Sequence, residues 1–199
     1  MVVRLPRAAR REQLVRCAAA VFVRGGFEAA SMDDVAREAG VTRLIVYRIF
    51  PSKEDLYRAV LDTVLDDMAE TFLVPPAPGD QDDHSRTVAG MLLAVARRHP
   101  DGFRLLWRHA AHEPAFQEVA ALFKVGVTEY ALELIAPLVT DPKIRLWAAE
   151  LLVAHMFEGI CLWLDDGDPD RDDVCLTLLT EGVRATVLRW VDLHRLTGG

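Results

Sequence analysis

An all-α protein follows from three observations on the 199 residues. Apolar residues recur at spacings of three and four along most of the chain. No stretch alternates with the period of two that marks a half-buried strand, and no internal repeat appears. Pro and Gly fall at intervals of about one helix length, where they punctuate helices. The length suffices for one or two domains with a real core. Hydrophobic residues at 51% and charged residues at 27% describe an ordinary globular protein, neither disordered nor fibrous.

The first six residues read as a mobile arm. Arg4, Arg7, Arg10 and Arg11 lie in or beside it and are candidates for phosphate or minor-groove contact. A first helix is expected over 7–24, stopped by Gly25-Gly26. Its Leu14, Val15, Ala18, Ala19 and Phe22 recur at helical spacing and form a core face. Ser31 is a good N-cap, and Asp34 stands three residues on, at the place of a capping-box acid. Val35, Ala36 and Ala39 then give about two turns of apolar face, and Gly40 ends the helix, because it turns left-handed without a Cβ clash. Thr42 is a second N-cap, opening a helix from Arg43 to Phe50. Two helices joined by a short glycine turn form a helix-turn-helix, whose second helix meets base edges in the major groove.

Within that second helix, Arg43 and Arg48 suit guanine edges or phosphates, and Tyr47 suits a phosphate oxygen. Leu44 and Ile45 fit thymine methyls and their own helical core equally well. Val46 and Phe50 are core positions. Ser31, Thr42 and Arg7 complete the candidate contacts, together with Lys53 in the first turn of the next helix. Net charge supports a DNA-facing end. The chain carries −7 in all, yet residues 1–60 hold 11 basic against 7 acidic residues, a net +4; the remainder holds 12 against 23, a net −11. A basic head on an acidic body presents one end to phosphate.

Leu14-Val15 with Ala18-Ala19 and Phe22, then Gly25-Gly26-Phe27 and Ser31, then Tyr47, Phe50, Ser52-Lys53-Glu54 and Leu56 occur together at fixed spacing. Over about residues 10–60 this resembles the N-terminal pattern of the TetR family of transcriptional repressors. The resemblance implies a homodimeric, all-helical regulator with a divergent C-terminal ligand-binding domain. It also implies backbone contacts from Tyr47 and Lys53. Three residues depart from the pattern: Leu44 stands where Gly is usual, Ile45 where Thr or Ala is common, and Ile49 where an aromatic is common.

Pro51-Ser52-Lys53 opens a longer helix to about Phe72, with Leu56, Val60 and Val64 in its core face. The residue before proline is pushed from the α region, which separates Phe50 from this helix. Residues 74–83, VPPAPGDQDD, read as a loop. Helices are then expected over 85–98, 102–112, 115–136, 142 to about 164, and 171–195. Asp141-Pro142 is a strong start signal, a cap followed by proline in the first turn. The division is a helix-turn-helix DNA-binding domain over 1–55 and a helical ligand-binding and dimerisation domain over 56–199.

In that second domain Phe103, Trp107, His109, Phe123, Trp147 and Phe157 are candidate walls for a small apolar or aromatic ligand. Plain core explains each of them as well. The last two helices carry long apolar stripes, Leu146, Ala149, Leu152, Val153, Met156 and Ile160 in one, Val174, Leu178, Gly182, Ala185 and Leu188 in the other. Two such helices from each of two subunits make a four-helix dimer interface.

Other chemistry finds little support. No GxSxG, glycine-rich phosphate loop or HExxH occurs, so no enzyme is expected. His109 and His112 with Glu113 have metal-ligand spacing but lack a third ligand, and neither a metal nor a cofactor is expected. Asp165 to Asp173 is a solvated turn, since its order fails that of a calcium loop. Cys17 reads as a buried thiol, and Cys161 with Cys175 is a candidate redox pair. No signal peptide opens the chain and no apolar run reads as long enough to span a bilayer, which points to the cytoplasm without a membrane partner. Two further readings stay open: a regulator without a small-molecule ligand, constitutive or controlled by a protein partner, and an all-helical enzyme or binding protein with the motif as scaffold.

Overall fold

The computed structural model of the chain describes residues 5–73 and 81–196. Arg4 of the expected arm and residues 74–80 of the expected loop lie outside the described residues. Helices make up the structure, with no strand among the described residues. In order they are α1 (Arg7–Ala29), α2 (Met32–Glu38), α3 (Arg43–Ile49), α4 (Lys53–Phe72), α5 (Gln81–Arg98), α6 (Pro100–Arg104), α7 (Gln117–Ile135), α8 (Pro142–Asp166) and α9 (Asp172–Leu196). Short tight turns stand at Ala110–His112 and Pro169–Arg171.

Two compact units result. One holds the described part of Met1–Thr71 together with Arg98–Ala120; the other holds the described parts of Phe72–Arg97 and Ala121–Gly199.

In the first unit α1 kinks at Gly26, whose φ of 75° and ψ of 166° suit only a residue without a Cβ. Leu14, Val15, Ala18, Ala19 and Phe22 are buried, as their spacing predicts. An aromatic cluster fills the middle of this unit. Tyr57 of α4 stacks on Phe116, with ring centres 4.3 Å apart, and both rings meet Phe27 edge-on. Phe22 also meets Tyr57 edge-on. The Tyr57 hydroxyl is buried without a hydrogen-bond partner. Burial, then the nearby Glu113 carboxylate, push its ionisation far above the ordinary value. Gly102 lets α6 approach α4 closely, since a Cβ there would come within 2.7 Å of Val64 Cγ2.

The expected helix over 102–112 is broken. α6 starts at Pro100, the chain widens into a π-helical stretch over Leu105–His109, and it tightens again over Ala110–His112. Leu105, Leu106 and Ala110 are all buried, and both α6 and the π stretch pack against α1. No Gly or Pro interrupts 103–112. Packing, a signal absent from local sequence, sets this break.

The second unit is built from α5, α7, α8 and α9. The helix expected to begin at residue 85 already begins at Gln81, inside the expected loop. Asp141 caps α8 through its side chain, accepting from the N–H groups of Lys143 and Ile144, with Pro142 in the first turn. α8 packs on α9 where Gly159 removes a clash with Leu179. Arg97 of α5 grips Asp172 of α9 by both carboxylate oxygens, and Trp163 Nε1 donates to the same carboxylate at 2.7 Å. The neighbouring Arg98 belongs to the first unit and makes a two-point contact with Asp67 of α4.

The dimer stripes expected in α8 and α9 need correction. Ala149, Leu152, Val153 and Ile160 are buried within their own unit. The exposed face of α8 carries Ile144, Trp147, Leu151 and Leu162, at spacings that place them on one side. Leu178, Ala185 and Leu188 of α9 are exposed, while Val174 and Gly182 are half-buried. By length and composition alone α8 is also apolar enough to cross a membrane, contrary to the sequence reading, although 39% of its most apolar window is buried within the protein.

Candidate nucleic-acid interface

The interface begins with the cap of α2. Ser31 Oγ accepts from the Asp34 N–H at 3.2 Å, and Asp34 Oδ2 accepts from the Ser31 N–H at 3.0 Å, the reciprocal bonding of a capping box. The hydrogen bonds from Ser31 and Arg37 hold the Asp34 carboxyl below its ordinary range. α2 ends in a Schellman turn. The Gly40 N–H reaches the Arg37 carbonyl at 3.2 Å, the Val41 N–H reaches the Ala36 carbonyl at 2.9 Å, and Gly40 has φ 64°. Both ends of α2 are thus tied by its own residues, which fixes the direction in which α3 leaves.

Thr42 stands at the N-cap position of α3 with extended backbone, but its side chain makes no cap bond. Val46 and Phe50 anchor α3 in the core, and Phe50 has left the α region ahead of Pro51. The opposite face shows Thr42, Arg43, Leu44, Tyr47 and Arg48 to solvent. Leu44 is 68% exposed, so it takes no part in the core; Ile45 and Ile49 are half-buried. Arg7 is exposed at the start of α1. Arg11 lies over the Phe50 ring at 5.4 Å, and Gln13 donates to the Ala39 carbonyl at 3.0 Å, so α1 supports both motif helices.

Arg43 does not hang free. Its Nη1 donates to Asp33 Oδ2 at 2.9 Å, its Nη2 donates to Tyr47 Oη at 3.2 Å, and its guanidinium lies 5.1 Å from the Tyr47 ring centre. Sequence reasoning passed over Asp33. The signal was there: two acids stand in the first turn of α2, and a capping box uses only one.

Lys53 is placed otherwise than the sequence suggested. Its ammonium donates to the carbonyls of Phe27 at 2.7 Å, Glu28 at 3.2 Å and Ala30 at 3.2 Å, above the Phe27 ring. An ammonium has three donors, and all three are committed. The side chain ties α4 to the end of α1, leaving no donor for a phosphate.

The six candidate ligand walls divide between the units. Phe103, Trp107 and His109 belong to the first, where Phe103 is buried and the other two are half-buried in the π stretch. Burial, then the charge of Arg108, hold His109 below its ordinary value. Phe123, Trp147 and Phe157 belong to the second. There Phe123 meets Phe157 edge-on at 5.4 Å, while Trp147 is 56% exposed beside Trp190. A cleft of about 400 Å³ in the second unit was missed; Leu162, Trp163, Cys175 and Leu178 are among its walls. Another of about 320 Å³ lies in the first unit, and its charged walls Arg24, Asp34, Arg37 and Glu38 neutralise one another in pairs.

Cys161 and Cys175 are buried and form no disulfide. Burial pushes the Cys175 thiol up to about 11, which leaves it protonated and a poor nucleophile near neutral pH. Cys17 is half-buried rather than buried. Among the described residues no three His, Cys, Asp or Glu side chains gather as a metal-ligand set.

Known proteins share this arrangement. Residues 14–60 match the family described as bacterial regulatory proteins, tetR family. The HTH-type transcriptional activator FasR of Mycolicibacterium smegmatis is 32% identical over 177 residues, covering 85% of this chain and 79% of FasR. A TetR-like transcriptional regulator from Rhodococcus sp. RHA1 superposes with a TM-score of 0.72 at 20% identity, covering 98% of this chain and 100% of its own. AibR, solved with isovaleryl coenzyme A and operator DNA, gives 0.64 at 15% identity over 85% of this chain and 96% of its own. At such identities the two structures speak for the fold.

Proposed function

The chain belongs to the tetR family of bacterial regulatory proteins, and from that premise we propose that it is a ligand-responsive repressor, binding a palindromic operator as a homodimer. The observation that carries the reading is the solvent face of α3, where Arg43, Leu44, Tyr47 and Arg48 stand together on a helix fixed by a capping box and a Schellman turn. Residues 1–55 serve as the DNA-binding domain, and 56–199 serve ligand binding and dimerisation.

Each contact has its chemistry. Arg43 and Arg48 pair with guanine edges or phosphates, and Leu44 with Ile45 covers thymine methyls. The Tyr47 hydroxyl accepts from Arg43, which leaves its own proton for a phosphate oxygen. Thr42 and Arg7 add phosphate contacts, whereas both donors of Ser31, its N–H and its hydroxyl, are held by the Asp34 carboxylate. Lys53 acts as the tie described above. Two α3 helices enter successive major grooves about 34–36 Å apart. Dimerisation through the exposed faces of α8 and α9 sets that spacing and covers the apolar side chains left in solvent.

A small apolar or aromatic ligand favours a state whose heads no longer match both grooves, by its differential affinity for the two states. Phe123 and Phe157 remain candidate walls, and AibR, a family neighbour solved with both an acyl thioester and DNA, supports such a response. The relatives and the fold are those of regulators rather than enzymes. Work on DNA places the protein in the cytoplasm. Activation is the second reading, because FasR, 32% identical over 177 residues, bears the name activator. A reporter driven from the selected operator distinguishes them by the sign of its response.

The test is selection of bound sequences from random DNA. The full chain is expected to enrich an inverted repeat. Arg43→Ala, at unchanged helical content, is expected to bind that repeat roughly ten- to a hundredfold more weakly. Equal affinity of the two proteins would remove Arg43 from the contact list.

A further inference from the structure

Asp33 and Asp34 are neighbours in the first turn of α2, yet they do different work. Asp34 serves its own helix: its carboxylate meets the Ser31 N–H, the Ser31 hydroxyl and Arg37. Asp33 reaches ten residues along the chain to the first residue of α3, where Oδ2 accepts from Arg43 Nη1 at 2.9 Å. Tyr47, one turn further along α3, takes Arg43 Nη2 at 3.2 Å and lies beneath the guanidinium. The guanidinium is thereby held from two sides.

Stability does not explain this carboxylate. Both partners of the ion pair are well exposed, and exposed pairs add little to folding. Affinity does not explain it either. A negative charge beside the face that meets phosphates weakens binding to any duplex. Geometry remains. A guanidinium has five N–H donors in one plane, and Asp33 with Tyr47 takes one from each terminal nitrogen. One N–H on each of the three nitrogens is left, and a two-point contact with a guanine edge draws on two of them.

We propose that Asp33 is a specificity-determining residue of the interface, which positions Arg43 for a guanine edge and opposes binding through phosphates alone. The inference rests on the DNA-binding reading above. On a duplex with guanine at the right place, the positioned side chain bonds without reorganising. On any other duplex Arg43 must leave Asp33 to reach a phosphate, and the carboxylate is left facing phosphate charge. Non-specific binding is weakened more than specific binding.

The experiment compares the full chain with Asp33→Ala, Asp33→Asn and Arg43→Ala, each checked for unchanged helical content. Sequences are selected from random DNA, and affinities are measured for the wild-type operator and a scrambled duplex over a range of salt. Asp33→Ala is expected to bind the scrambled duplex more tightly and to lose about tenfold in the operator-to-scrambled ratio. Its base preference flattens at the same base pair that Arg43→Ala flattens. Asp33→Asn keeps an acceptor without the charge, so it retains that preference in part while its scrambled binding rises. An unchanged ratio in Asp33→Ala overturns the inference. Flattening at a different base pair also overturns it, since Asp33 would then read a base itself, as a carboxylate does at cytosine N4. A wild-type chain that enriches no sequence removes the DNA-binding reading as well, whereas enrichment that Asp33→Ala leaves untouched removes only this inference.

Discussion

Among the described residues, the large apolar side chains left in solvent in the first unit are Leu5, Leu44 and Tyr47; in the second, besides Leu73, they run along α7, α8 and α9, from Leu122 through Trp147 and Leu162 to Leu178 and Leu188. Leu44 and Tyr47 share their face with Arg43 and Arg48, a mixture that suits a groove lined by methyls and phosphates. The second unit shows apolar faces on helices that already pack together, and such faces mark contact with protein. The difference teaches that each unit is unfinished in its own way. On the proposed reading, one is completed by a polyanion and the other by a second copy.

The comparison breaks first at the aromatic cluster, where the first unit is held by its own core. Phe116→Ala empties the stack on Tyr57 and is expected to destabilise the protein by about 3–5 kcal/mol in urea unfolding. Tyr57→Phe keeps the stack and removes the buried unpaired hydroxyl, so stability stays the same or rises. A loss in both variants would mean that the hydroxyl is satisfied in solution.

The next effect belongs to the second unit. Leu162→Glu with Leu178→Glu puts charge on the exposed faces of α8 and α9, where the native leucines are 56% and 65% exposed. Folding of the subunit is expected to survive. The dimer is expected to weaken by about 2–4 kcal/mol, read as dissociation in sedimentation and as lost operator affinity. A dimer of undiminished strength would place the contact elsewhere.

The smallest effect sharpens the internal hold of the second unit. Asp172→Asn is expected to cost about 1–3 kcal/mol at pH 7, because Arg97 and Trp163 lose a charged acceptor. Arg97 first, then Trp163, hold the Asp172 carboxyl below its ordinary 3.8 against the opposing effect of burial. A depressed carboxylate contributes stability above its unfolded value and loses it as pH falls through the folded value. The gap between wild type and variant is therefore expected to close as acid takes the pH below 3.8. A gap that persists in acid would assign the effect to packing.

How far these features were legible follows from the range over which each acts. Ser31 with Asp34, Gly40 after Ala39, and Asp141-Pro142 all work within five residues, and all three are as expected. Leu44 was undecidable because α3 has only seven residues, too few for a period to separate its faces. Lys53 was misplaced because its acceptors lie 23 to 26 residues back, at the end of α1. Ala149 turned out buried and Trp147 exposed because α8 is apolar nearly all round, so composition could not say which side α9 would cover.

The sequence by itself determined an all-helical chain, the helix-turn-helix, its caps and turn, and the charge that divides head from body. Those are properties of neighbouring residues, where backbone geometry leaves few choices. Only the tertiary structure decided that Arg43 is held by Asp33, that Lys53 is a tie, that 105–109 widens into a π stretch, and which faces of α8 and α9 stay open. Each of these depends on which distant surface arrives to cover a side chain, and burial against a distant partner leaves no periodic mark in the chain.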